Sequence, residues 1–298
     1  MSWIELAVTS AYPEFAEEVL LAQGAVSTSF TDAADDPILE PEPGATPLWR
    51  HTTARGLFAP GTDFAAVRAA LRELLPDGVS LRVEERALED QDWIKAWLQY
   101  ARPLRFGAEG APGLWICPSG FQVEEAGATV VRLDPGLAFG TGTHQSTALC
   151  LDWIARRDLA GKRVLDYGCG SGILAIAALK RGAAAALAVD IDPQALTAAL
   201  GNAQLNGVTE RLACAGVEQF GEQAVDESVD IVLANILAKP LMQLAPMLAR
   251  QLRRGGSIVL AGVLRSQAEE VRGAYAPWFD FDDDATHEDW ARISGRKR

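Results

Sequence analysis

The sequence predicts a small α+β domain followed by a larger α/β domain built on a mostly parallel sheet. The chain has 298 residues, of which 49% are hydrophobic, and this is enough for two separate cores. The first ninety residues pass twice through the order strand, helix, strand. After Leu114, short apolar strands alternate with helical segments, which is typical of a parallel sheet with crossover helices.

The first domain, residues 1–88, is predicted to be a ferredoxin-like βαββαβ sandwich. Apolar and polar residues alternate in its strands, whereas Phe15, Val19 and Leu20 recur at helical spacing and Gly24 ends that helix. A loop rich in proline and acidic residues separates the two halves. The predicted elements are a strand at 3–8, a helix at 14–23, a second strand, a strand around 50–58, a helix at 63–75 and a strand at 79, 81 and 83.

Residues 89–113 are predicted to form a connecting helix and a linker. Trp93, Trp97 and Tyr100 recur at near-helical spacing before a stretch rich in glycine and proline. Such an aromatic stripe packs against a neighbouring domain more often than it forms a partner surface, and both interpretations stay open. The second domain then extends over residues 114–298.

A glycine turn follows the strand predicted at 163–166. It contains Gly168, Gly170 and Gly172, and a helical segment begins at Ile173. Glycines allow a sharp turn and let a ligand lie against the backbone without Cβ atoms in the way. A dinucleotide fingerprint that starts at Gly168 would need a third glycine at the position of Ile173, so the turn does not follow the dinucleotide pattern.

Polar side chains are predicted at the ends of the two strands beside this turn. Asp190 ends the strand at 186–189, where a carboxylate can accept both hydroxyls of a ribose. Asp192 precedes Pro193 and is expected to cap the next helix instead. Asn235 ends a further strand at the same edge of the sheet, so we expect three adjacent strand ends to line one crevice.

Composition excludes several classes of protein and site. No run of about 18 apolar residues occurs and the N-terminus lacks a signal-peptide pattern, so we expect a cytoplasmic protein with no membrane partner. The four cysteines form no C-x-x-C pair and the three histidines do not cluster with them. We therefore expect neither a disulfide framework nor a metal site.

Acidic residues are concentrated in the first third of the chain. Residues 1–95 contain 17 Asp and Glu against 7 Lys and Arg, whereas the rest of the chain contains 23 against 20. A surface with this balance repels phosphate backbones and attracts cations. The pattern favours a basic protein over nucleic acid as the partner, with a merely soluble surface as the alternative.

The segment 133–144 reads L-D-P-G-L-A-F-G-T-G-T-H and resembles the bacterial methyltransferase family that modifies large-subunit ribosomal protein eleven. Residues 166–172, 189–193, 230–241 and 290–296 fit the same family. The resemblance implies a class I methyltransferase, with a Rossmann-like, mostly parallel seven-stranded sheet and S-adenosylmethionine as cofactor. It further implies that lysine side chains and the N-terminal amine of the ribosomal protein are methylated, and we expect a monomer.

The resemblance also assigns residues to the cofactor. It implies contacts with S-adenosylmethionine at Thr147, Gly168, Asp190 and Asn235. Gly170, in the same glycine turn as Gly168, joins this set of expected cofactor-binding residues.

Phe139 lies in a segment with two glycines and two hydroxyl residues, a composition suited to a lid over a ligand. Its ring would then attract the sulfonium of the cofactor by a cation–π interaction, and a structural loop is the alternative. Two features depart from the family. Gln145 and Ser146 stand where proline and threonine are usual, and Lys239 replaces a usual glycine near the expected acceptor entrance.

Methyl transfer from a sulfonium to an amine is an in-line displacement on an activated donor, so positioning is expected to dominate catalysis. The amine must be neutral to attack, which desolvation beside a cationic donor favours. We expect Asn235 and the backbone carbonyls of Ile236 and Leu237 to orient it, without a dedicated side-chain base. His144 has the residue type of a base, but its place in a glycine-rich loop favours a structural role.

Two other functions are compatible with this pattern. A nucleic-acid base methyltransferase often has Asn-Pro-Pro-aromatic after the fourth strand, whereas this chain has Asn-Ile-Leu-Ala and an acidic first domain. The second alternative is a protein that binds S-adenosylmethionine without turnover. Label transferred from the cofactor to protein, to RNA or to neither would separate the three functions.

Overall fold

The structure is a computed structural model, and it describes residues 3–34, 48–59, 61–74, 82–88, 102–133, 142–223 and 225–298. The chain divides into two compact units, Met1–Ala96 and Trp97–Arg298. The aromatic stripe predicted in the linker lies outside the described residues. Our domain boundaries at residues 88 and 113 therefore stay predictions.

The first unit has the predicted element order. Its four strands form one antiparallel sheet in the order β2-β3-β1-β4, the arrangement expected of a ferredoxin-like βαββαβ sandwich. The elements are β1 (Trp3–Thr9), α1 (Pro13–Ala22), β2 (Ser27–Asp32), β3 (Thr52–Phe58), α2 (Phe64–Leu74) and β4 (Arg82–Leu88).

Alternation along the strands builds the core of this unit. Leu6 and Val8 of β1 are fully buried and pack in one cluster with Leu20 of α1 and Leu71 of α2. Helix α1 begins at Pro13, one residue before the predicted start, because the fixed φ of proline suits the first helical position. Of the last strand predicted, position 83 lies in β4, and positions 79 and 81 lie outside the described residues.

The second unit alternates strands and helices as predicted. Its elements are β5 (Leu104–Phe106), β6 (Leu114–Cys117), β7 (Thr129–Arg132), α3 (Gln145–Ala155), β8 (Arg163–Tyr167), α4 (Ile173–Lys180), β9 (Ala185–Asp190), α5 (Pro193–Leu205), β10 (Leu212–Gly216), α6 (Val217–Gln223), β11 (Val229–Asn235), α7 (Ala238–Gln251), β12 (Leu252–Leu264), α8 (Ala268–Tyr275), β13 (Phe279–Phe281), β14 (Ala285–His287) and β15 (Trp290–Lys297). Strand β5, inside the segment predicted as a linker, pairs with β6 in a separate three-stranded sheet that also contains β7.

The main sheet confirms the predicted mostly parallel architecture. Its path is β10-β9-β8-β11-β12-β15-β13, seven strands, and β14 pairs with β15 as a short eighth strand. The five strands from β10 to β12 are parallel, whereas β13, β14 and β15 join by antiparallel pairs. Neighbouring residues such as Ile231 and Val232 belong to opposite cores, so these strands are buried on both faces.

The strand order creates a switch point between β8 and β11. From β8 the chain moves outward to β9 and β10, and it then crosses back to β11 on the other side. In open α/β sheets, ligands bind in the crevice at the carboxyl ends of the strands at such a point. The described part of the chain contains no helix with the length and apolarity to cross a membrane.

Candidate active site

The glycine turn links β8 to α4 at the switch point. Gly168, Gly170 and Gly172 all have positive φ, at 75°, 52° and 76°, in the region that favours glycine. The turn is tied to the neighbouring strand, because the backbone N–H groups of Gly168 and Cys169 both donate to the carbonyl of Val189, at 2.8 and 3.0 Å. The predicted order of strand, tight turn and helix is therefore confirmed.

Asp190 ends β9 beside this turn, and both of its carboxylate oxygens accept backbone hydrogen bonds. Oδ2 accepts from the N–H of Gly170 at 2.8 Å, and Oδ1 accepts from the N–H of Asp192 at 3.0 Å. A carboxylate oxygen has a second lone pair, so Asp190 can still accept from the hydroxyls of a ligand. The backbone bonds hold the carboxylate at the rim of the crevice.

Asp192 caps the helix that follows β9 and does not line the cavity, as its position before Pro193 predicts. Its Oδ1 accepts from the N–H of Gln194 at 2.8 Å, and Pro193 occupies the first helical position of α5. The capping role of Asp192 is thus confirmed.

Asn235 ends β11 and contacts Thr147 directly. The Asn235 Nδ2 donates to Thr147 Oγ1 at 3.1 Å, across the crevice between β11 and α3. Thr147 is 2% exposed and lies in the first turn of α3, which His144 caps by accepting from the N–H of Ser146. The sequence predicts both residues as ligand contacts, but their contact with each other was not predicted.

His144 has structural contacts that agree with the favoured prediction. Its Nδ1 lies 2.8 Å from Ser146 Oγ, and its ring meets the ring of Trp290 edge to face with centroids 4.6 Å apart. Partial burial lowers the pKa of His144, so the ring is neutral near pH 7 and can accept from the helix N-terminus.

These strand ends surround one cavity of about 470 Å³. Its walls are mainly apolar, which suits a small organic ligand held by a few polar groups. Ile191 is 85% exposed and Leu237 is 50% exposed at its rim. The lining residues are Thr147, Tyr167, Gly168, Cys169, Gly170, Ile173, Leu174, Asp190, Ile191, Val217, Asn235, Ile236, Leu237, Pro240 and Leu244.

Most of the predicted site residues meet at this cavity. Thr147, Gly168, Gly170, Asp190 and Asn235 all line it, as do Ile236 and Leu237. The Leu237 carbonyl also accepts from the N–H of Leu241 at 3.1 Å, so it is shared with the first turn of α7. Phe139 and the proposed lid lie outside the described residues.

Several apolar lining residues were missed by the sequence analysis. Val217 comes directly after β10 as Ile191 comes directly after β9, so its place at the carboxyl end of a strand could have predicted it. Pro240 and Leu244 lie one helical turn apart on α7, and they are apolar residues without a motif of their own. Lys239, the departure from the family pattern, is exposed in the first turn of the same helix.

Asp166 lies beneath the glycine turn, fully buried. Its Oδ2 accepts from the N–H of Ala175 at 2.9 Å, and its Oδ1 has no hydrogen-bond partner among the described residues. Burial raises the pKa of Asp166 to about 7, with a smaller contribution from the negative charge of Asp190. Burial therefore favours the neutral form of this carboxyl relative to an exposed aspartate.

Comparison with known proteins shows similarity over the whole chain. A family model described as "Ribosomal protein L11 methyltransferase (PrmA)" matches residues 2–298. The ribosomal protein L11 methyltransferase of Aeromonas hydrophila is 46% identical over 301 residues, covering 100% of this chain and 99% of the relative. The protein of the same name from Methylococcus capsulatus is 49% identical over 300 residues, covering 99% of each chain.

A solved structure is also similar. The crystal structure of ribosomal protein L11 methylase from Lactobacillus delbrueckii subsp. bulgaricus matches with a TM-score of 0.57 and 37% sequence identity. The match covers 62% of this chain and 95% of that chain.

Proposed function

Because the chain belongs to the ribosomal protein L11 methyltransferase family, it transfers methyl groups from S-adenosylmethionine to ribosomal protein L11, and we propose that the acceptors are lysine side chains and the N-terminal amine. The family assignment favours this reaction over the two alternatives of nucleic-acid methylation and binding without turnover. The observation that carries the proposed mechanism is the convergence of three adjacent strand ends on one cavity.

The residues of the cavity fit S-adenosylmethionine. The Asp190 carboxylate retains acceptor capacity for ribose hydroxyls, and the exposed Ile191 beside it offers an apolar surface for a base. The Ile173 side chain lines the cavity where a dinucleotide site would need a glycine. In our proposal Asp190, Gly168, Gly170, Thr147 and Asn235 hold this cofactor.

When bound, the cofactor supplies an activated methyl group on a cationic sulfur. Transfer of this methyl group to the amine nitrogen would break the carbon–sulfur bond and release S-adenosylhomocysteine, and one proton of the methylated amine would then pass to solvent. The chain must present a neutral amine in line with that bond and exclude water. The apolar wall formed by Ile236, Leu237 and Pro240 favours the neutral amine by desolvation.

We assign the orientation of the amine to Asn235 and to the backbone carbonyls of Ile236 and Leu237. The Asn235 side chain donates through Nδ2 to Thr147. Its Oδ1 is then available to accept a hydrogen bond from the substrate amine that is to be methylated. The Leu237 carbonyl also accepts from the first turn of α7, but its second lone pair leaves it able to accept from the amine. Our proposal contains no side-chain base.

The acidic first domain is the proposed binding surface for ribosomal protein L11. Its excess of Asp and Glu complements a cationic partner and disfavours direct contact with nucleic acid. The proposal places the enzyme, as a monomer, in the cytoplasm, where ribosomal proteins are made.

Labelled S-adenosylmethionine, purified ribosomal protein L11 and the full chain test the reaction, and mass spectrometry then identifies the modified amines. We expect Asn235→Ala to lower kcat by at least about 100-fold, because an amine misplaced by about 1 Å loses that much rate. Calorimetry with S-adenosylhomocysteine should show a change in Kd of less than about 10-fold. Gln243→Ala, which removes an exposed amide of α7, is the control.

Thr147→Val tests whether the lower kcat of Asn235→Ala comes from the missing Asn235 amide or from the missing hydrogen bond between Asn235 and Thr147. It removes the same hydrogen bond but leaves the Asn235 amide in place. We expect it to lower kcat less than Asn235→Ala does. Methyl groups found only outside lysine and the N-terminus, or near-normal turnover by Asn235→Ala, would contradict the proposal.

A further inference from the structure

Ile236, in the segment that follows β11, lies between two glycines of neighbouring strands. Gly168 follows β8 on one side, and Gly262 lies in β12 on the other. Both have positive φ, at 75° and 76°. The pairing of β12 with β15 shifts register between Leu260 and Val263, so Gly262 stands at a local irregularity of the strand.

The two glycines make room for different parts of Ile236. A Cβ atom at Gly168 would overlap Cγ2 of the Ile236 side chain. A Cβ atom at Gly262 would stand 2.5 Å from the carbonyl oxygen of Ile236, 2.8 Å from its carbonyl carbon and 3.0 Å from its nitrogen. The first overlap is relieved by a smaller residue at position 236, whereas the second involves backbone that every residue has.

We propose that Gly262 is a positioning residue of the methyl-transfer site, because its missing Cβ lets the backbone of Ile236 lie against β12 and so sets where the segment Asn235 to Leu237 meets the acceptor amine. This inference rests on the proposed function, which assigns the orientation of the amine to that segment. Gly262 is not among the residues that line the cavity, and its effect passes through Ile236.

The size of the displacement can be estimated from the contact distances. An ordinary approach of carbon to a carbonyl oxygen is about 3.3 Å or more. A side chain at position 262 would therefore push the Ile236 carbonyl by about 1 Å, given the separation of 2.5 Å. Misplacement by about 1 Å can lower a catalytic rate by about 100-fold.

Positive φ alone does not explain why position 262 needs glycine, because a Cβ atom there would also contact Ile236. A second glycine of β12 separates the two effects and serves as the matched control. Gly255 also lies in β12, has a φ of 72°, and a Cβ atom there would meet nothing within 4 Å. Gly255→Ala introduces the strain of a side chain at positive φ without the contact, and Gly262→Ala introduces both. The difference between the two variants isolates the contact with Ile236.

The test compares the wild-type chain, Gly255→Ala and Gly262→Ala for methylation of ribosomal protein L11, binding of S-adenosylhomocysteine and thermal unfolding. We expect Gly262→Ala to have a kcat about 10- to 100-fold below that of Gly255→Ala, with a Kd for S-adenosylhomocysteine within about threefold. Both variants should lose thermal stability through strain. A kcat within about twofold of Gly255→Ala would overturn the inference, as would a Kd that rises by the same factor as kcat falls.

Crystal structures of the two variants test the inference without relying on methyltransferase activity. Gly262→Ala should displace the Ile236 backbone by about 1 Å, the amount that the 2.5 Å separation requires, and Gly255→Ala should leave it in place. An unmoved Ile236 in Gly262→Ala overturns the inference whatever the activity. A displaced Ile236 together with a wild-type chain that does not methylate ribosomal protein L11 contradicts the proposed function alone.

Discussion

Burial of the Asp166 carboxyl beneath the glycine turn gives one residue a measurable influence on the stability of the fold. The pKa of Asp166 rises from 3.8 to about 7, chiefly through desolvation, while the hydrogen bond from the Ala175 N–H acts in the opposite direction. A carboxyl with a raised pKa favours folding most at low pH. That contribution is lost as the pH rises from the unfolded value towards the folded one.

We therefore expect Asp166→Asn to become more stable relative to the wild-type chain as the pH rises from 5 to 8. Asparagine keeps an oxygen that can accept from Ala175 and carries no charge to bury. The difference in free energy of unfolding between the two chains should change by roughly 2–3 kcal/mol over that interval. Urea unfolding at several pH values measures it, and a difference that stays constant with pH would contradict the raised pKa of Asp166.

Individual site residues were predictable where a polar group ends a strand. Asp190 and Asn235 could be placed at one crevice because the carboxyl ends of parallel strands share an edge. Gly262 could not be found in this way, since its importance depends on how closely β12 approaches the segment after β11. That approach is a property of packing, and the local sequence of β12 contains no sign of it.

At the scale of elements, the hairpin of β14 and β15 holds the start of α3. Glu288, in the turn of that hairpin, accepts from Gln145 Nε2 at 2.6 Å, and Trp290 packs edge to face on His144. These contacts fix the helical turn that contains Thr147. Gln145, which stands where the family usually has proline, therefore has a hydrogen-bond partner in Glu288. The sequence alone does not reveal this contact.

We expect Trp290→Leu to loosen this turn while keeping an apolar side chain in place. Loss of the ring contact with His144 should lower the free energy of unfolding by about 1 kcal/mol. It should also raise the Kd for S-adenosylhomocysteine several-fold, because Thr147 is no longer held firmly. His287→Ala, an exposed change in the same hairpin, is the control in calorimetry and chemical unfolding. Equal behaviour of the two variants would show that the hairpin does not support α3.

Element boundaries were less predictable than element types. The helix predicted to begin at Ile173 does begin there, because Gly172 adopts a left-handed conformation just before it. Strand β5 was missed because three residues, Leu104–Phe106, are too few to show an alternation, and their pairing with β6 is a tertiary contact.

At the scale of the whole molecule, the uneven charge of the chain predicts how it finds its substrate. Long-range attraction between an acidic domain and a basic protein is screened by salt, with a Debye length of about 10 Å at 0.1 M. We expect the affinity of the full chain for ribosomal protein L11 to fall about 10-fold between roughly 0.05 and 0.3 M salt. Surface-based binding measurements at several salt concentrations test this.

Two matched double variants test whether the salt-dependent attraction to ribosomal protein L11 comes from the first domain. Glu14→Gln with Glu18→Gln removes two charges from the exposed face of α1, and Glu269→Gln with Glu270→Gln removes two from α8 in the second unit. The first pair should weaken binding and flatten its salt dependence more than the second. Equal effects would mean that the first domain has no special part in recognition.

The division into an α+β unit and an α/β unit was predictable because each has its own periodicity and core. The number of strands in the main sheet came from the family resemblance, since periodicity alone does not reveal that β13 and β15 pair antiparallel after five parallel strands. Such pairings join residues far apart in sequence, and local patterns do not report them.

The exposed Ile191 at the rim of the cavity has a thermodynamic consequence. With 85% of this side chain in water, filling the cavity removes apolar surface from hydration and makes the heat capacity change of binding negative. The enthalpy of cofactor association therefore becomes more favourable on warming while its entropy becomes less so. Because the two changes act in opposite directions, we expect the free energy of association to vary less with temperature than either its enthalpy or its entropy term.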